Sequence, residues 1–384
     1  MKTNILILIL AASSCLPLAA QTADKVLESI MQRNMSIRSG RLTAEADKCE
    51  NNTGLSLADP VVDVAYKWGS PAEVQNKVDL SVMQTFDYAT VFGLKRQLAA
   101  SRNELIDLRQ KEDEALLMLQ VRELLVQLVH ANRQRALSDA KIDVMRRLVS
   151  YTQKALERGD VSKIEANKAL LSLAEMETEG DVQEAERQSL LSTLCSLNGG
   201  ERIEFADTLY PTSSVAGYGM SSILSQRTEV VHSVAQQEVD NARAASLPEV
   251  SLGYVSELTR AEKLRGIGMA LSVPLWSNRG NVRRAKARQM AQQYELESAA
   301  ASLAQQRQEQ QRRADMLSAT LRRVQDRSRS VSSLPLLQKA VDAGEMSQME
   351  YITELQSYFQ LQQMLIDTER DYHLALTRLA AIGG

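Results

Sequence analysis

The chain is 384 residues long, enough for two or three ordinary globular domains, but only 4% of it is aromatic, too little to fill several cores. Ala, Leu, Gln, Glu and Arg dominate, which with helical periodicity points to long helices or coiled coils. A formal net charge of −3, with no basic run interleaved with aromatics, argues against a nucleic-acid binder.

Residues 1–20 have the layout of a signal peptide. Lys2 gives the positive start, Ile5 to Ala12 the apolar stretch, and Leu18-Ala19-Ala20 a small-residue cleavage site before Gln21. The apolar run is too short to span a bilayer, so the mature chain is expected to leave the cytoplasm. The alternative is a lipoprotein signal with Cys15 lipidated. Ser13 and Ser14 fit that alternative, and Ala12 in place of the usual Leu does not. Cys49 and Cys195 lack metal-like spacing, and whether they pair stays open.

The first repeat spans 21–199. An amphipathic pattern from Asp24 to about Asn51 predicts a helix, ended by Asn-Asn-Thr-Gly. The period then changes to two. Val62, Val64, Tyr66 and Trp68 alternate with Asp63, Ala65 and Lys67, and after a Gly-Ser-Pro turn Val78, Leu80, Val82 and Phe86 do the same. This is a strand pair over 61–86. From 94 to 158 the chain has no Gly or Pro and only narrow apolar stripes, which predicts one very long helix. Roughly 63 residues at 1.5 Å each would make a rod of about 95 Å. Gly159 ends it, Ser162 caps the next helix with Glu165 three residues on, and a return helix runs over 161–198.

Residues 200–220 are turn-rich, with a short strand expected at Ile203 to Phe205. The second repeat, 221–384, restates the first: a short helix, a strand pair over 249–275, a long helix over 281–343, a tip turn and a return helix over 346–382. The two copies stand at a constant offset of 185 residues (344 − 159), which pairs Gly159 with Gly344, Ser162 with Ser347 and Glu165 with Glu350. Such self-similarity marks a tandem repeat. Pro335 falls inside the second long helix and should kink or break it near the tip. The run Gln305 to Arg313 holds no apolar residue, so this helix cannot lie in a globular core.

Strands apolar on one face and small or charged on the other suit a wall between lipid and water. Four strands cannot close a barrel, and unpaired edges are not tolerated in a bilayer. Three copies would supply twelve. Tyr66, Trp68 and Tyr254 are candidate lipid-interface aromatics.

In this order of elements the chain resembles the TolC-like outer-membrane efflux proteins, or outer membrane factors. The residues that carry the resemblance are Leu247 to Leu252, Leu271 to Trp276, the turns Arg158 to Ser162 and Ala343 to Ser347, and both Leu-x-x-Leu/Ile-x-Gly endings. The resemblance spans essentially the whole mature chain. It implies a mainly α fold of long-helix hairpins forming a periplasmic tunnel, with four strands per chain in a trimeric twelve-stranded barrel. It also implies a passive exit duct in the outer membrane of a Gram-negative cell. The partners implied are a homotrimer, a periplasmic adaptor, an inner-membrane pump and outer-membrane lipid, with no cofactor. The tips Arg158, Gly159, Ser162, Gly344 and Ser347 would dock the adaptor.

Members of that family often close the tunnel with acidic rings six and nine residues beyond the tip glycine. Here the sixth position holds Glu165 and Glu350, the candidate gate, while the ninth holds Lys168 and Thr353. A second acidic ring is therefore missing. Of the two gate candidates Glu350 is favoured, because its neighbour Tyr351 offers an apolar wedge.

Catalysis is not expected. His130, His232 and His373 are scattered, with no metal-ligand spacing, and no phosphate-cradling loop or nucleophile elbow is present. The rival readings are a duct for type I protein secretion and a periplasmic coiled-coil adaptor.

Overall fold

The structure, a computed structural model, describes residues 22–70, 76–86, 89–211, 219–274, 276, 278–330, 334–343 and 345–383. The leader with Cys15 and the tip residue Gly344 lie outside them. The described elements are α1 (Ala23–Arg33), α2 (Met35–Thr53), β1 (Val61–Lys67), β2 (Lys77–Phe86), α3 (Ala89–Arg158) and α4 (Lys163–Leu197). These are followed by α5 (Met220–Ala244), β3 (Glu249–Thr259), β4 (Lys263–Ser272), α6 (Asn281–Ser330), α7 (Leu334–Asp342) and α8 (Gln348–Gly383). The described residues fall into two compact units. One holds 22–34, 120–211 and 315–374; the other holds 35–119, 219–314 and 375–383.

The first unit is a bundle of helical hairpins. Its core joins α3, α4, α7 and α8 through Met145, Leu148, Ala169, Leu337, Tyr351, Leu355 and Phe359. These positions recur at helical spacing on one narrow stripe of each helix, so each helix buries only that stripe. The helix α1 docks through Val26 and Ile30, both fully buried. Its side chain Ser29 donates to Asn198 Oδ1 at 2.9 Å, just beyond α4.

The sequence predicts one opening helix, and two form. Asn34 leaves helical geometry (φ −59°, ψ 124°), and its Nδ2 donates to the Leu197 carbonyl at 2.9 Å. That tertiary bond satisfies one of α4's terminal carbonyls, which have no partner inside their own helix. The expected strand at Ile203 to Phe205 also does not form. Its Ile203 and Phe205 are each 2% exposed, and the segment's polar groups turn to helices instead of to a ladder. The amide of Ile203 donates to Cys195 Sγ at 3.3 Å, and Asn132 Nδ2 donates to the Asp207 carbonyl at 3.0 Å.

Along the second predicted rod, 281–343, the described residues form α6 and α7, with 331–333 between them outside the described residues. Pro335 is the second residue of α7. In a first turn its missing N–H leaves no bond unmade. Within α6 the buried described side chains are Ala314 and Val324, as its polar sequence requires.

In the second unit α2 and α5 pack with the first part of α3. One buried apolar cluster there joins Leu108, Val230 and Val234. Ion pairs line the flanks: Arg41–Glu114 at 3.0 Å, Arg102–Glu238 at 2.8 Å and Arg227–Glu112 at 3.1 Å. Exposed pairs of this kind contribute about 0–1 kcal/mol each, so the buried valines carry more of the packing. The end of α8 meets the start of α5 so closely that a Cβ on Gly219 would lie 2.9 Å from Gly383 Cα.

The same unit holds the sheet, four antiparallel strands in the order β1-β2-β3-β4. Among the described residues no helix is long and apolar enough to cross a membrane.

Candidate functional site: the sheet faces and the helical tips

Strand register sorts the side chains of the sheet by chemistry. Val62 pairs with Val82, Val82 with Tyr254, and Tyr254 with Ile267. Phe86, Val250 and Leu271 form a second such row, and Val64 and Leu80 part of a third. Successive residues of a strand point to opposite faces, so all of these share one face. It is apolar yet exposed: Val62, Val64, Val82, Tyr254, Ile267, Met269 and Leu271 are all open to the surroundings. A broad exposed apolar surface marks an interaction site, in this shape one for lipid or another protein. The opposite face carries Asp63, Asp79, Ser81, Glu257, Gly266 and Gly268, largely small or charged, with Met83, Val255 and Leu264 among them.

Two of the three predicted interface aromatics stand together. Tyr66 and Trp68 meet edge to face, with ring centroids 5.5 Å apart, and Trp68 is 81% exposed. The Tyr66 hydroxyl accepts from Asn76 Nδ2 at 2.8 Å across the hairpin. Tyr254 lies two rows farther in on the same face, opposite Val82. At the helix-proximal end Phe86 and Trp276 are exposed. Sequence reasoning passed over Phe86 as an aromatic of interest, although its place as the last residue of β2 was a usable signal.

The tip at the end of α3 closes as a Schellman turn. The amide of Asp160 donates to the Ala155 carbonyl at 2.9 Å, and that of Gly159 to Leu156 at 3.0 Å. Gly159 has φ +78°, the left-handed region that this turn requires. Arg158 pairs with Asp160 at 3.0 Å. The other tip has the equivalent bond, Glu345 to the Ala340 carbonyl at 2.9 Å.

Both tips then start a helix with the same reciprocal cap. Ser162 N donates to Glu165 Oε2 at 2.8 Å, while Glu165 N donates to Ser162 Oγ at 3.2 Å. Ser347 and Glu350 repeat this at 2.9 and 3.2 Å. The backbone amide and then the hydroxyl of each Ser donate to the carboxylate and hold Glu165 and Glu350 below the usual carboxylate range. Both glutamates are therefore anionic caps in the single chain. Tyr351, the apolar wedge expected beside Glu350, turns away from the surface. It is 2% exposed and packs inward against the hairpin core, because it falls on the apolar stripe with Leu355 and Phe359.

His130 and His373 serve packing. His130 Nε2 lies 2.7 Å from Asp367 Oδ1, and His373 stacks on Tyr210 with centroids 4.1 Å apart. Burial lowers the pKa of both imidazoles, opposed at His130 by the Asp367 hydrogen bond. Burial likewise pushes the Tyr210 phenol up to about 12. Both described cysteines are free thiols. Among the described residues no group of three or more His, Cys, Asp or Glu is placed to hold a metal ion.

No family profile and no curated protein matches the chain. Solved structures do. The fold is similar to that of CusC, with a TM-score of 0.79 and 16% identity over 95% of this chain and 93% of that one. It is similar to a membrane protein of Pseudomonas aeruginosa, with a TM-score of 0.78 and 15% identity over 95% and 91%. It is also similar to the outer membrane protein VceC of Vibrio cholerae, at 0.75 and 14% over 94% and 96%. The chain thus has the fold of TolC-like outer-membrane channels, helical hairpins with four barrel strands per chain.

Proposed function

We propose that the protein is an outer-membrane channel: the exit duct of a tripartite efflux system, passively conducting substrates handed over by an inner-membrane pump. The observation that carries this reading is the sheet. It has one exposed apolar face, one polar face, and edge strands β1 and β4 that pair with no other strand among the described residues. In a bilayer such edges must be paired. Three copies of four strands give twelve, an even number within the range of outer-membrane barrels. The fold likeness to CusC and VceC supports the same assignment. The role is conduction rather than catalysis.

In this reading the tips around Arg158, Gly159, Ser162, Gly344 and Ser347 dock a periplasmic adaptor, and Glu350 with Glu165 forms the gate. Three copies of each carboxylate near a threefold axis would repel, and adaptor binding need only tip a modest balance. The test is assembly. The protein extracted from outer membranes should cross-link as a trimer and conduct ions in planar bilayers. A stable detergent monomer with intact strand content would overturn the reading.

A further inference from the structure

On the polar face of the sheet, near the β1–β2 and β3–β4 turns, four charges form two rows. Lys67 of β1 stands directly opposite Lys77 of β2, and one row nearer the helices Asp79 of β2 stands opposite Glu257 of β3. Like charges directly opposite are unfavourable in a sheet. Here they are tied diagonally. Lys67 Nζ reaches Asp79 Oδ2 at 2.6 Å, Lys77 Nζ reaches Asp79 Oδ1 at 3.6 Å, and Lys77 also pairs with Glu257. The result is a continuous Lys–Asp–Lys–Glu zigzag across three of the four strands. Three of the four, Lys67, Asp79 and Glu257, line an open depression together with Asp63 and Ser81.

We infer that this zigzag sets the charge specificity of the duct mouth, the two lysines masking a row of carboxylates that would otherwise select cations. The inference rests on the duct reading, which makes the polar face the lumen wall. In three copies the two rows become a ring of ammonium groups stacked on a ring of carboxylates. Each lysine lies within hydrogen-bond reach of a carboxylate, well inside the Debye length of about 10 Å at 0.1 M salt. A passing ion therefore meets little net field from the pair of rings, and solutes of either charge pass the mouth. Selectivity in such pores follows rings of charged side chains, so uncovering one ring should reveal its sign.

The experiment measures reversal potentials across planar bilayers in a KCl gradient near 0.1 M, with the full-length protein. The Lys67→Gln/Lys77→Gln variant should raise the potassium-to-chloride permeability ratio at least about threefold, since only the carboxylate ring remains unscreened. Asp79→Asn/Glu257→Gln should move the ratio the opposite way, and the four changes together should return it to the wild-type value. If a double variant does not assemble, Lys67→Gln alone, at the most exposed member of the zigzag, should shift the ratio toward cations. Conducting channels with one selectivity throughout, or both double variants shifting the same way, overturn the inference and leave the duct standing. A wild-type protein that forms no channel overturns both.

Discussion

Replacing Gly159 by Ala tests how the first tip is held. The position has φ +78°, and a left-handed L-residue costs roughly 1–2 kcal/mol. A Cβ there would meet nothing within 4 Å, so no steric cost is added. The turn's bonds, from Asp160 to Ala155 and from Gly159 to Leu156, stay geometrically available. The whole penalty is backbone strain confined to the turn. A local cost of 1–2 kcal/mol raises the open population about 5- to 30-fold. Native-state hydrogen exchange at the Asp160 amide should speed up by that factor in Gly159→Ala and by much less in Gly159→Asn, since Asn tolerates the left-handed region. Amides in the core-packed part of α3, around Leu148, should not change. Equal exchange in wild type, Ala and Asn variants, or lost protection all along α3, would refute the account of a strained but sterically open turn.

Leu355→Ala should lower stability by about 2–5 kcal/mol, as for other fully buried leucines, because Leu355 is 1% exposed in the hairpin core. Urea titration against Leu170→Ala, at a 42% exposed site, checks this. For pH, the Arg187 hydrogen bond holds Glu184 at about 2, below its ordinary 4.5, and Glu165 and Glu350 are lowered too. A depressed folded value gives stability that is full above about pH 4.5 and is lost as pH falls through the folded value. The thermal midpoint should therefore drop on acidification, and the gap to Glu165→Gln/Glu350→Gln should close; a gap independent of pH would count against the capping role. In bilayers Glu350→Gln should also weaken block by divalent cations on the periplasmic side, and unchanged block would leave Glu350 as a cap alone.

The features most legible in the sequence were those set by local chemistry. The tip turns and both capping boxes follow from Gly, Ser and Glu at fixed spacing, and these form as the spacing requires. The strand pairs announced themselves by period two, and the register places Val62, Val82, Tyr254 and Ile267 in one row. What stayed hidden depends on distant partners. Nothing around Asn34 shows that its amide will reach Leu197 and split the opening helix. Ile203 and Phe205 alternate like a strand, but they are buried with no strand paired to them among the described residues. Tyr351 was favoured as a wedge for its place beside Glu350, and only the facing helices explain its burial. The lysine–carboxylate zigzag was equally out of reach, since Glu257 enters from a strand far along the chain.

The two junctions between a return helix and a short helix occupy corresponding positions, since Asn34 and Asn198 precede Gly219 and Gly383 by the same 185 residues. They are built on different grounds. The first depends on hydrogen bonds: an amide that can donate to Leu197 and an acceptor for Ser29. Its chemistry constrains substitution, and a side chain of matching polarity and reach can stand in. The second depends on emptiness. A Cβ on Gly383 would come 2.4 Å from Ser221 Oγ, as one on Gly219 would crowd Gly383. No side chain of any polarity suits that joint, so the same mechanical task tolerates change at one place and forbids it at the other.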